Sequence, residues 1–162
     1  MKPSSVFVKN WKMADLEPAL SGLDGDRSLA SGKEAFDKSG CVQCHRFNER
    51  GGSFGPDLAG LATLMKPREV LESMLEPSRT IDESYSMQQF TMSDGMVHLG
   101  QVQDETDAVV RLRSLSATSA PVTLAKSLIV SRKKLGVSNM PPGMLNTLTK
   151  KQILDLVAYL LN

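Results

Sequence analysis

The sequence predicts a mainly helical domain interrupted by a small antiparallel sheet, and three observations predict it. Apolar residues recur at helical spacing in Ser28–Ser39, in Pro67–Leu75 and in Lys150–Leu161. Between Tyr85 and about Arg132 the pattern changes to short β-branched runs separated by turn residues. Between the first two helices lies the run Cys41-Val42-Gln43-Cys44-His45, followed by a glycine-rich loop.

The first helix is bounded by Ser28 and by Gly40, a residue suited to a left-handed cap, with Leu29, Ala35 and Phe36 as its apolar positions. Gly32 lies four residues before Phe36, a spacing that lets another helix approach closely beside an aromatic knob. The expected partner is the last helix, capped by Thr149, with Ile153, Leu156, Val157, Tyr159 and Leu160 as its stripe. Pro67 opens the middle helix through Val70, Leu71, Met74 and Leu75, and Pro77 stops it. In the arm, Met13–Glu17 reads as a short helix broken by Gly22, Asp24, Gly25 and Asp26, with Trp11 either packing the arm down or reaching the functional centre.

The strand-like stretch divides at Ser93-Asp94-Gly95, a hairpin signal between Tyr85–Met92 and Met96–Gln103. A second turn at Asp104–Asp107 leads to Ala108–Leu115, and Val122–Leu124 and Leu128–Val130 supply further strands. These make a compact sheet or small barrel. The chain is expected to return to helix through Ser131-Arg132-Lys133-Lys134. The resulting division is an arm over 1–27 and a domain over 28–162, with 83–131 inserted as the β part.

Cys41-Val42-Gln43-Cys44-His45 has the form of a haem attachment site. Two thiols at i and i+3 lie on one side of a helical turn, so both can form thioethers to one porphyrin edge, and the adjacent imidazole can ligate the iron. A disulfide, a thioredoxin-like redox pair and half a zinc site compete with this reading. The chain contains only two cysteines and one further histidine, His98, so a zinc site would need every one of them at an unusual spacing. A redox pair would follow a strand of a βαβ unit, which is not the context here. A metal-bound histidine normally donates its second ring N–H to a fixed acceptor, for which the Pro56 carbonyl is the candidate.

Asn139-Met140-Pro141-Pro142-Gly143-Met144 is the second stretch of interest. Two prolines hold the loop extended, so the Met140 thioether can serve as sixth ligand. Met144, and His98 within the sheet, remain alternatives.

At 162 residues and 41% hydrophobic, the chain can bury one core, and a formal net charge of +1 gives no overall steering toward nucleic acid. No stretch is long and apolar enough for a membrane span. Met1–Asn10 lacks the apolar region of a signal peptide, whereas covalent haem attachment takes place outside the cytoplasm in bacteria. The expectation is therefore an excised domain of an exported, periplasmic protein whose signal lies upstream.

Cys41–Phe47, Gly55-Pro56-Asp57-Leu58, Leu75-Glu76-Pro77-Ser78, Asp94-Gly95 with Gly100, and Met140-Pro141-Pro142-Gly143 with Leu145–Thr149 follow one another in a recognisable order. Together they resemble the haem-binding domain of the planctomycete and Verrucomicrobium type, a variant of class I cytochrome c, from about Phe7 to Leu161. The resemblance implies a class I helical core with the sheet inserted before the methionine loop, and one covalent haem c. It implies cofactor contacts from Cys41, Cys44, His45, Pro56, Leu58 and Met140, with His45 and Met140 on the iron. The implied function is single-electron transfer from a fused or partner dehydrogenase module, without catalysis by this domain. Pro142 and Met144 depart from the usual Met-Pro-Glu-Gly-Leu motif. A haem-based sensor or small-ligand binder is the competing function. Arg132-Lys133-Lys134 is either a docking site for an acidic partner or a solvated turn.

Overall fold

A computed structural model describes residues 6–113 and 120–162. Residues 1–5, and the expected strand end at Ser114 and Leu115, lie outside the described residues. The chain divides into two compact units, one formed by the residues through Pro77 together with Pro141–Asn162, the other by Ser78–Met140.

In the first unit, α1 (Met13–Leu16) runs into a 3-10 helix at Glu17–Gly22, so the arm stays wound through Gly22. Next come α2 (Leu29–Lys38), α3 (Cys41–Cys44), a two-stranded hairpin of β1 (Arg46–Phe47) and β2 (Arg50–Gly51), α4 (Leu61–Leu64) and α5 (Pro67–Leu75). After the second unit the chain re-enters through a 3-10 turn, Met144–Thr147, and ends in α6 (Lys150–Leu160). Local chemistry sets these bounds. Ser28 Oγ accepts the Ser31 N–H at 3.1 Å, capping α2. Thr149 and Gln152 satisfy each other's free N–H groups at the start of α6, at 2.9 and 3.3 Å. Pro67 occupies the first turn of α5, where its missing N–H costs nothing.

The core of this unit is the crossing of α2 on α6. Gly32 makes it possible, because a Cβ there would fall 2.2 Å from the Asp155 carbonyl oxygen and 2.5 Å from Tyr159 Cβ. Phe36 then packs within 6.2 Å of the Tyr159 ring, and Phe47 meets Tyr159 edge-on at 5.0 Å. Val70, Leu71 and Met74 of α5 are buried, as are Leu145, Leu148, Ile153, Leu156 and Val157.

The second unit is one antiparallel sheet: β3 (Ser86–Met92), β4 (Val97–Glu105), β5 (Val109–Arg113), β6 (Val122–Ala125) and β7 (Ile129–Ser138), in the order β6-β5-β4-β3-β7. Among the described residues no ladder joins β6 to β7, so the sheet is open and not a barrel. Gly95 takes the left-handed conformation (φ +85°) that the β3–β4 hairpin needs. Phe90, Met92, Val110, Leu112 and Leu124 form its apolar core, flanked by Val102, Val122 and Ile129.

Two expectations fail here. Asp104 and Glu105 extend β4 across a register shift instead of turning, and the chain reverses over Thr106–Ala108. Ser131-Arg132-Lys133-Lys134 is strand, not helix, so the inserted sheet runs past residue 131 to Ser138. The cause is pairing: Thr91, Phe90, Gln89 and Gln88 of β3 face Ser131, Arg132, Lys133 and Lys134 in turn. Side chains reinforce the register, since Arg132 donates to Gln88 at 2.7 Å and pairs with Glu105 at 3.0 Å, and Lys134 pairs with Glu83 at 2.5 Å. Two of the three charges in the basic run are thus matched, Arg132 by Glu105 of β4 and Lys134 by Glu83 just before β3, and the run is strand, not a turn.

Candidate haem site

The site is built on the single turn α3. Gly40, at φ +84°, turns the chain sharply out of α2 and places Cys41 at the start of the new turn. Cys41 and Cys44, at i and i+3, are both free thiols. Cys41 is buried with Ser39 Oγ 3.1 Å from its sulfur, and Cys44 is half-buried. Burial pushes both thiols above their ordinary range, and for Cys41 the Ser39 hydrogen bond only partly offsets this. A redox pair of the thioredoxin kind relies on a stabilised thiolate, the opposite of this environment.

His45 leaves the turn in extended conformation while its N–H still donates to the Cys41 carbonyl at 2.9 Å. Its ring Nδ1 lies 2.9 Å from the Pro56 carbonyl oxygen. A carbonyl can only accept, so this bond requires the proton on Nδ1 and leaves the Nε2 lone pair free in the neutral ring. The imidazole is thereby oriented as a metal ligand needs to be.

The glycine loop lies directly on the motif. A Cβ at Gly51 would fall 2.1 Å from the His45 carbonyl oxygen, one at Gly52 2.1 Å from that of Gln43, and one at Gly55 2.7 Å from His45 Cε1. The N–H groups of Gly52, Gly55 and Leu58 donate to the carbonyls of Val42, Cys44 and Arg46 at 2.8 to 2.9 Å. Arg50 ties the hairpin to Asp37 of α2 at 3.1 Å. Spacing alone did not reveal these three glycines as a cradle. The available signal was their density directly after the motif.

Cys41, Cys44, His45, Pro56 and Leu58 therefore lie together in the first unit, Leu58 half-buried and fixed through its backbone. Met140 is half-buried at the end of the second unit, with its N–H donating to Ser138 Oγ at 3.1 Å. Met144 opens the 3-10 turn, its terminal methyl 3.6 Å from where a Gly40 Cβ would stand. His98 sits half-buried in β4 opposite Phe90. Trp11 anchors the arm, donating its indole N–H to the Leu148 carbonyl at 3.0 Å. Among the described residues no group of three or more His, Cys, Asp or Glu could hold a metal ion, which leaves the zinc reading without a ligand set.

Two free thiols on one turn, a histidine with one ring nitrogen committed to a carbonyl, and a backbone cradle fit a covalently held haem. A family model described as cytochrome c matches residues 29–112, just over half of the chain. The chain belongs to the cytochrome c family. Its cofactor is haem c, bound covalently with its iron, and the family membership gives this cytochrome a haem-binding, electron-transfer role. No curated protein matches the chain. The cytochrome has no helix, among the described residues, that is long and apolar enough to cross a membrane.

Proposed function

We propose that this cytochrome carries single electrons on a haem c attached through Cys41 and Cys44, with His45 and Met140 as the residues that would ligate the iron. The observation that carries the reading is the bond from His45 Nδ1 to the Pro56 carbonyl, which leaves Nε2 as a donor beside two free thiols. When bound, haem supplies a reversible ferric–ferrous couple. The protein's part is to hold both ligands in both oxidation states, so that little structure changes on electron transfer. Pro56 acts by fixing the tautomer, and Leu58 supplies an apolar contact to the porphyrin. Met140 is favoured over Met144 because Pro141 and Pro142 stiffen its loop, and because the Met144 side chain packs at Gly40.

In this reading the cytochrome domain spans 28–162, with 1–27 as an arm and the sheet as an insertion into a class I core. It is of the planctomycete and Verrucomicrobium type, works outside the cytoplasm, and takes electrons from a fused or partner dehydrogenase. The basic residues of β7 contribute little to docking, because Arg132 and Lys134 are already paired.

The test is the weak far-red sulfur-to-iron absorption of the oxidised holoprotein. Met140→Ala should abolish it and lower the reduction potential, while Met144→Ala and His98→Ala should leave it in place. Loss of the band in either of those variants but not in Met140→Ala would overturn the ligand assignment. Tight carbon monoxide binding by the reduced wild-type protein would favour the sensor reading.

A further inference from the structure

The arm before α2 makes a set of contacts that the electron-transfer reading has not used. The Val8 and Lys9 N–H groups both donate to the Asn146 carbonyl, at 2.8 and 3.3 Å. Trp11 donates twice, from its backbone N–H to Asn146 Oδ1 at 3.4 Å and from its indole to the Leu148 carbonyl at 3.0 Å. From the other side, Lys150 Nζ reaches back to the Asp15 carbonyl at 2.8 Å. Every one of these partners lies in the turn Met144–Thr147 or in the residues that follow it.

Leu145 within the turn and Leu148 just after it are buried, so packing holds both ends of it. Its entry, Pro142 and Gly143, borders a cavity of about 180 Å³ that is also lined by Trp11, Met13 and Met74. The arm's directional bonds fall on Asn146 and Leu148, so hydrogen bonds and packing together anchor the turn from which the proline run leads back to Met140. Upstream, only the stiff Pro141-Pro142-Gly143 run separates the turn from Met140, so a displacement of the turn passes along the chain with little bending to absorb it.

We infer that Trp11 and the arm around it are positioning elements for the Met140 thioether, holding the turn in the place from which the proline loop presents sulfur to iron. This rests on Met140 being the sixth ligand. Releasing the arm raises the fraction of molecules whose methionine has left the iron. Apparent affinity for an external ligand scales with that open fraction.

The experiment is carbon monoxide titration of the reduced, full-length holoprotein, run beside the far-red band of the oxidised form. Trp11→Phe keeps an aromatic ring but loses the indole donor, and it should bind carbon monoxide about five- to tenfold more tightly, the factor expected for one hydrogen bond. Lys150→Met releases the arm from the opposite side without touching the aromatic contact, and should act in the same direction. Ser28→Ala removes the cap of α2 and lowers stability elsewhere in the unit, and should leave carbon monoxide affinity unchanged. Met140→Ala should bind carbon monoxide tightest and lose the band. If neither Trp11→Phe nor Lys150→Met changes the affinity while Met140→Ala removes the band, the positioning role is wrong and the ligand assignment stands. An equal change in Ser28→Ala would reduce the effect to general destabilisation and also overturn the role. A band that survives Met140→Ala removes the ligand assignment and this inference with it.

Discussion

The helical unit and the sheet unit bury their cores by different means. In the sheet, Phe90, Met92, Val110, Leu112 and Leu124 fill their own apolar layer, and ion pairs around Glu105 and Glu83 fasten the edge strand. The helical unit instead depends on close backbone approach, at Gly32 against α6 and at Gly51, Gly52 and Gly55 against the cysteine turn. On the proposed attachment it also carries Cys41, Cys44 and His45, which would hold the haem. In that reading the sheet unit is completed by its own side chains, and the helical unit should owe part of its order to the cofactor. Stability in this protein is therefore not one quantity, and each unit should respond to a different insult.

Loss of haem should produce the largest difference. In a Cys41→Ala/Cys44→Ala protein, hydrogen exchange should show α2 and α5 losing most of their protection while β3 and β4 keep theirs. Equal loss in both units would break the comparison. Phe90→Ala should cost about 4 kcal/mol of stability, read in the sheet by denaturant titration. Gly32→Ala should cost about 2 kcal/mol in the helical unit through overpacking, because the added methyl meets backbone as well as side chain.

The smallest effect expected is at Asp155, fully buried in α6 and paired with Lys151 at 2.7 Å and Arg27 at 3.9 Å. Burial, the strongest single influence, pushes its carboxyl up, but the hydrogen bonds from Lys151 and Ser31 and the Lys151 charge together hold it below the usual carboxylate range. A carboxyl whose pKa is lower folded than unfolded contributes stability above the unfolded value of about 3.9 and loses it as pH falls through the folded one. Asp155→Asn should thus cost about 1 kcal/mol at pH 7, and the gap to wild type should close below about pH 4. A gap independent of pH would assign the contribution of Asp155 to packing.

The contrast between the units also explains what the sequence makes legible. The caps at Ser28 and Thr149, the proline that opens α5 and the Asp94-Gly95 hairpin are local chemistry, and local chemistry can be read from neighbouring residues. So can the close crossing at Gly32, because helical spacing places it beside Phe36. The strand at Ile129–Ser138 is not local: its basic middle looks solvated until β3 supplies pairing partners and Gln88, Glu105 and Glu83 supply counterparts. The two-residue strands of the haem loop are too short to carry a period, and their turn uses Asn48 and Glu49 at positive φ, which no glycine signals. At the site, the need for a carbonyl acceptor at His45 can be argued from ligand chemistry alone. The fit of three glycines over the motif depends on backbone distances that spacing does not contain.

The central claim is that one haem is bonded to the Cys41–His45 turn, and mass spectrometry of the acid–acetone-extracted, proteolysed holoprotein tests it most directly. The expected result is a peptide containing Cys41 and Cys44 that carries the mass of one haem and has no alkylatable thiol. A haem-free peptide with both thiols open to alkylation would contradict it.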